Sequence, residues 1–251
     1  MSVALRDYPL LLLLVMVPLL YGMVELGYRL GQRGQRTDAR YHEQFAATRD
    51  QAGVLLSLLL GFTLAMSLSR YDLRKQLVVE EADAIGTTQL RAALLPEPAR
   101  SQALPLFRVY VDSRIEFTNA GLNEQAIASA RAKSVKVQGQ LWAIAVAAAE
   151  QQPTPITALF VQSLNETIDS DDRRLAALEN RIPRPVWTML GMLSLVTSLL
   201  VGLSLHKRSL SAMLIPPVMF AVVSLLIADL DTPGRGFIYT GSDSIERLRT
   251  P

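Results

Sequence analysis

Four uncharged apolar stretches punctuate the chain, at residues 9–24, 52–68, 186–205 and 210–228, each dominated by Leu, Val, Met and Ala. A bilayer core about 30 Å thick is crossed by ~17–25 mostly apolar helical residues. With its flanks, each stretch predicts a transmembrane helix. Arg6 before the first run would also suit a signal peptide, but "LLYGMVELGYRLG" lacks a small-x-small cleavage pattern, and the run predicts a retained helix. The second stretch, "VLLSLLLGFTLAM", is too Leu-rich to be read as a buried soluble helix beside three other spans.

Between the second and third stretches the pattern changes to polar and apolar residues at helical spacing. Residues 72–95 contain no Gly or Pro except Gly86, and Pro96 with Pro98 then ends the run. Further helices are predicted over 104–119, 122–151, where Trp142 lies on an apolar stripe, and 156–180. No long period-two alternation suggests a sheet. The predicted fold is all-α, with four transmembrane helices and a helical soluble domain inserted between helices 2 and 3. Its expected segments are 1–68, 69–185, 186–230 and a surface tail at 231–251.

Four spans put both termini and the long insert on one side. The excess of Lys and Arg there, including Arg70, Arg74, Lys75, Arg173 and Arg174, predicts that side to be cytoplasmic in an inner (plasma) membrane. The net charge of +2 gives no bulk attraction to nucleic acid. With no cysteine and only His42 and His206, thiolate chemistry is excluded and no metal site or cofactor is expected. Hydrolase motifs and phosphate loops do not appear, so the expectation is a protein that is not an enzyme. The sequon at Asn165 lies in a predicted cytoplasmic helix and is read as coincidence.

Two stretches carry candidate chemistry. In "RYDLRKQLVVEEADAIGTTQLRAALLP", Glu80, Glu81 and Asp83 follow directly on the second span. They suit either a cation or ion pathway, or a packed helix with its charges paired to neighbours such as Arg74 and Lys75. Glu80, Ala84, Thr87 and Arg91 share one helical stripe, and Ala82 with Gly86 would admit a close helix neighbour. Arg70, Tyr71, Asp72, Glu80, Glu81, Asp83, Thr87 and Arg91 are thus the candidate vestibule or junction. In the span itself, Leu56, Leu60, Thr63 and Ser67 fall on one side and Leu55, Leu58, Phe62 and Ala65 on the other. The hydroxyls on the first side either bond back to helix backbone or face a pore that gates by dewetting. Glu25 and Arg29, one turn apart, suit a simple i,i+4 pair. In the fourth span, Pro216 and Pro217 free backbone carbonyls in mid-helix.

The stretches "LLLGFTLAMSLSRYDLRK", "EADAIGTTQLRAALLP", "RVYVDSR", "SLNETIDSDDRRLAAL" and "IADLDTPGRGF" together resemble the bacterial DUF4239 family, described as bestrophin-like, over roughly residues 52–237. Bestrophins are pentameric, chiefly anion-selective channels whose second span lines the pore. The resemblance therefore implies a homo-oligomer, as in a pentamer, that conducts inorganic anions. Leu56, Leu60, Thr63 and Ser67 would lie near the axis, and Tyr71 and Asp72 would begin the cytosolic extension. The paired tryptophans of bestrophins are missing around Leu73, and Asp229 with Asp231 does not match the calcium clasp of the animal proteins. Filter details and calcium gating are therefore not implied. The alternative is a non-conducting membrane scaffold or sensor whose cytosolic helical domain binds a partner.

Overall fold

The computed structural model describes residues 9–34, 41–121, 123–233, 238 and 241–249. The described residues are helical, without strands. Seven long helices follow one another: α1 (Pro9–Gly34), α2 (Tyr41–Ala92), α3 (Ala99–Asn119), α4 (Glu124–Gln151), α5 (Pro155–Glu179), α6 (Arg184–Ser204) and α7 (Leu210–Asp231). A short α8 (Asp243–Glu246) and a 3-10 turn (Arg247–Arg249) close the chain. The chain forms two compact units. Unit 1 comprises Met1–Ser69 and Arg181–Thr232, and unit 2 comprises Arg70–Asn180 and Pro233–Pro251. Helix α2, at 52 residues, runs from the first into the second without a break.

Unit 1 contains α1, the first part of α2, α6 and α7, and the four apolar stretches lie on helices long enough to cross a membrane. Helices α1 and α6 touch at backbone distance. A Cβ on Gly27 would stand 2.1 Å from the Leu199 carbonyl oxygen, and one on Gly202 would stand 2.0 Å from that of Val24. Gly27 and Gly31 form the small-xxx-small spacing that allows such an approach between helices in lipid. In the same unit, Leu12, Leu56, Leu60, Trp187, Leu190 and Ile227 pack into one apolar core. At the end of α7, the Asp231 carboxylate accepts the Ile182 amide at 2.8 Å, which ties the entry of α6 to the exit of α7. The expected Glu25–Arg29 pair forms at 2.8 Å, and Arg208 joins Glu25 at 3.2 Å.

Unit 2 packs the second part of α2 with α3, α4 and α5 around Val78, Ile85, Phe107, Tyr110, Leu141, Phe160 and Leu164. Local sequence sets the helix starts. The Asn123 side chain accepts the Ala126 amide at 3.1 Å ahead of α4, while Thr154 and Thr157 make a reciprocal capping box at α5, with Pro155 in its first turn. Two expectations need correcting. Helix α3 begins at Ala99, earlier than the expected 104, so that Pro105 lies inside it. The tail was expected to lie on the surface, yet Ile245 of α8 is fully buried in the unit 2 core, because an apolar side chain at that point of the tail gains more from burial than from water. Tail residues 234–237, 239–240 and 250–251 lie outside the described residues, as does Leu122 at the expected start of α4.

Candidate functional site

In unit 2, the buried positions of α2 recur every three or four residues: Arg74, Leu77, Val78, Glu81, Ala82, Ile85, Thr88 and Ala92. One of them is a carboxylate. Glu81 is 0 % exposed, and the helices around it supply two cations. Arg114 of α3 donates Nε–H to Glu81 Oε1, and Arg174 of α5 donates from Nη1 to Oε2 at 2.5 Å. Arg114 Nη2 also lies 2.7 Å from Asp171 Oδ1 of α5. The other Asp171 oxygen accepts from Gln138 Nε2 of α4 at 2.9 Å, and the same amide reaches the Tyr110 hydroxyl at 3.1 Å. Arg174 Nη2 donates to Thr118 Oγ1 at 2.6 Å. Phe117 presents its ring to both guanidiniums, 4.7 Å from Arg114 Cζ and 5.6 Å from that of Arg174. Arg114 Nη1 is buried without an acceptor, so the ring takes the place of a hydrogen-bond partner.

Two carboxylates meet two guanidiniums, so the cluster is neutral overall and each charge has a counter-ion at contact distance. That balance is what allows ions into a core, since a lone buried charge costs several kcal/mol. Burial raises the Asp171 carboxyl above its ordinary value of 3.8, with Arg114 opposing. It also raises the Tyr110 phenol. For Arg114, burial works against the charge, but Glu81 and Asp171 outweigh it and the guanidinium is held more firmly protonated than usual. Four helices of unit 2 thus meet at one polar point, and hydroxyl bridges add to it. Thr88 of α2 and Thr167 of α5 lie 2.8 Å apart, and Ser113 of α3 lies 2.8 Å from Ser134 of α4. Among the described residues, no group of three His, Asp or Glu is placed to hold a metal ion. Chemically, the cluster can hold the four helices in register.

The residues anticipated around this point divide. Glu81 is its centre, but its partners are Arg114 and Arg174, 33 and 93 residues away, in place of Arg74 and Lys75. Lys75 is exposed, and Arg74 Nε donates to the Ala177 carbonyl at 3.3 Å. Glu80, Asp83, Thr87 and Arg91 do share a face. With Gln162, Ser163, Glu166 and Arg173 they line a surface groove of about 380 Å³ between α2 and α5. Along it, Glu80 accepts from Gln76 at 2.7 Å and Arg91 donates to the Leu159 carbonyl at 2.9 Å. Arg70 and Tyr71 are half-buried and Asp72 is exposed. Arg114, Asp171 and Arg174 were missed, although all three sit inside the stretches "RVYVDSR" and "SLNETIDSDDRRLAAL" that carry the family likeness.

In the membrane span of α2, the four residues expected at an axis are enclosed by the chain itself. Leu56, Leu60, Thr63 and Ser67 are 0 %, 5 %, 1 % and 0 % exposed within unit 1. The Thr63 and Ser67 hydroxyls bond to the Leu59 and Thr63 carbonyls of their own helix, at 2.7 and 2.9 Å. The open face of the same segment carries Leu55 at 56 %, Leu58 at 54 % and Phe62 at 65 % exposure.

A bundle of long apolar helices, one of which runs on into a charge-locked helical unit, defines a helical integral membrane protein. The bestrophin-like domain matches residues 26–245, and the chain belongs to the bestrophin-like family. No curated protein and no solved structure matches it.

Proposed function

We propose that the protein is a homo-oligomeric ion-conducting pore of the inner membrane, with its helical unit and termini in the cytoplasm, and without enzymatic activity. The observation that carries this reading is the outward stripe of α2. Leu55 and Phe62, with Met66 beside them, stay open on a helix whose opposite face is engaged, and Ser69 follows Phe62 one heptad further on. Copies arranged around an axis would bring these side chains together into an apolar constriction of the kind that gates by dewetting. Arg70 and Lys75 follow the span and favour anions at its mouth. The groove holding Glu80, Asp83, Thr87 and Arg91 would then belong to the vestibule wall. The test is chloride flux from liposomes containing the purified oligomer. Phe62→Ser should raise it severalfold, and absence of flux from a correctly assembled wild-type oligomer would sink the reading.

A second reading rests on α4, where Val135, Trp142 and Val146 stay exposed at spacings of one helical face. Such a stripe suits a partner helix, as in a non-conducting scaffold or sensor. Capture of a partner that is lost with Trp142→Glu, together with an absence of flux, would favour it.

A further inference from the structure

Unit 1 has a second built feature on the other flank of α2. A groove of about 980 Å³ opens between α2, α6 and α7, with Val54, Leu58, Val201, Ile215 and Phe220 as apolar walls. It starts at a polar rim, where Arg49 and Asp50 pair at 2.8 Å and Arg49 Nη1 donates to the Ser204 hydroxyl at 3.0 Å. From Arg49 to Leu58 the groove follows α2 for nine residues, ~13 Å of helix. Part-way down lies Thr197, which is 2 % exposed and whose Oγ has no hydrogen-bond partner in the protein. On the facing wall, Pro216 lacks the N–H that would meet the Ala212 carbonyl, so that acceptor near the rim is without its helical donor.

We infer that this groove holds a resident glycerophospholipid with a primary-ammonium headgroup. A zwitterionic head matches the rim in both signs, its phosphate against Arg49 and its ammonium against Asp50 and the Ala212 carbonyl. The Thr197 hydroxyl stands seven residues, ~10 Å, below Ser204 along α6 and donates to an ester carbonyl of the lipid. One acyl chain then lies along the apolar walls. The assignment rests on the membrane character of unit 1 and is independent of whether the protein conducts.

Gly53 provides the test. It lines the groove, and a Cβ added there meets nothing within 4 Å, so Gly53→Leu fills the space without disturbing the packing. Gly22, equally open but outside the groove, is the control. Full-length protein is delipidated in mild detergent, mixed with phosphatidylethanolamine or phosphatidylcholine, and weighed by native mass spectrometry. Expected is a phosphatidylethanolamine adduct on each chain that Gly53→Leu abolishes, Gly22→Leu keeps and phosphatidylcholine does not replace. Ala212→Leu, filling the groove from the facing helix, should abolish it as well. An adduct that survives both groove variants overturns the inference. So does equal retention of phosphatidylcholine, or a Gly53→Leu protein that keeps its lipid but loses its oligomer, which would make the occupant a second copy of the chain.

Discussion

Arg174 Nη1 lies 2.5 Å from Glu81 Oε2, joining α5 to α2 across 93 residues of sequence inside a core that water does not reach. The relationship makes the unit 2 part of α2 dependent on two other helices, because Arg114 of α3 takes the other oxygen of the same carboxylate. Removing Glu81 leaves two guanidiniums facing each other without their shared counter-ion. Glu81→Gln should therefore destabilise the protein by about 3–5 kcal/mol. Denaturant unfolding of the full-length protein in detergent measures this. In Glu81→Gln/Arg114→Met the loss should be clearly smaller than the sum of the two single losses, since the double variant removes both members of a pair.

The raised Asp171 carboxyl carries a pH signature. Burial makes the folded protein hold this proton more tightly than the unfolded chain does. Its contribution is therefore most favourable at low pH and is lost as pH rises from about 3.8 through the raised folded-state value. Melting temperatures of wild type and Asp171→Asn, compared across that interval, should diverge with a slope of this sign. Parallel curves would show that the group titrates as it does in the unfolded chain.

Gly202 admits no side chain. A Cβ there would lie 2.0 Å from the Val24 oxygen and 2.6 Å from the Tyr28 nitrogen, both backbone atoms that cannot swing aside. Gly202→Ala should cost about 1–3 kcal/mol by forcing α1 and α6 apart. Gly22→Ala, with nothing within 4 Å, should be silent in the same unfolding assay.

Thr88 bridges helices with a single hydroxyl that approaches the Ser163 carbonyl at 2.9 Å and Thr167 Oγ1 at 2.8 Å. Thr88→Val keeps the shape and deletes the bond, for a loss of about 1–3 kcal/mol because the polar groups on α5 stay buried. Hydrogen exchange should rise locally in α5 around Thr167, with the membrane helices unaffected.

Much of this molecule can be read along the chain, where the determinants are local. Spans follow from apolar length, and the stop after α2 follows from Pro96 and Pro98, which break a helix wherever it sits. The start of α5 follows from Thr154 and Pro155, and the Glu25–Arg29 pair from a spacing of one turn. What α2 turns toward its neighbours is another matter. Leu56 and Leu60 are buried while Leu55 and Leu58 are open, and no scale of hydropathy separates them. In lipid the outside of a helix is as apolar as its inside, so the pattern that marks a core face in water is erased.

Charge was equally ambiguous. Arg114, Asp171 and Arg174 have the composition of a solvated surface, and the nearby Arg74 and Lys75 looked like natural partners for Glu81. Only the packing of α3, α4 and α5 against α2 brings the distant ions to contact and balances their charge, with Phe117 and Gln138 filling the remaining valences. The sequence by itself determined which segments are helical, where they stop and which can enter a bilayer, because backbone propensity, proline and apolar length act within a few residues. The tertiary structure decided which face of α2 is closed, which ions are buried and where a groove is left open, because those depend on side chains that meet only once the helices have packed.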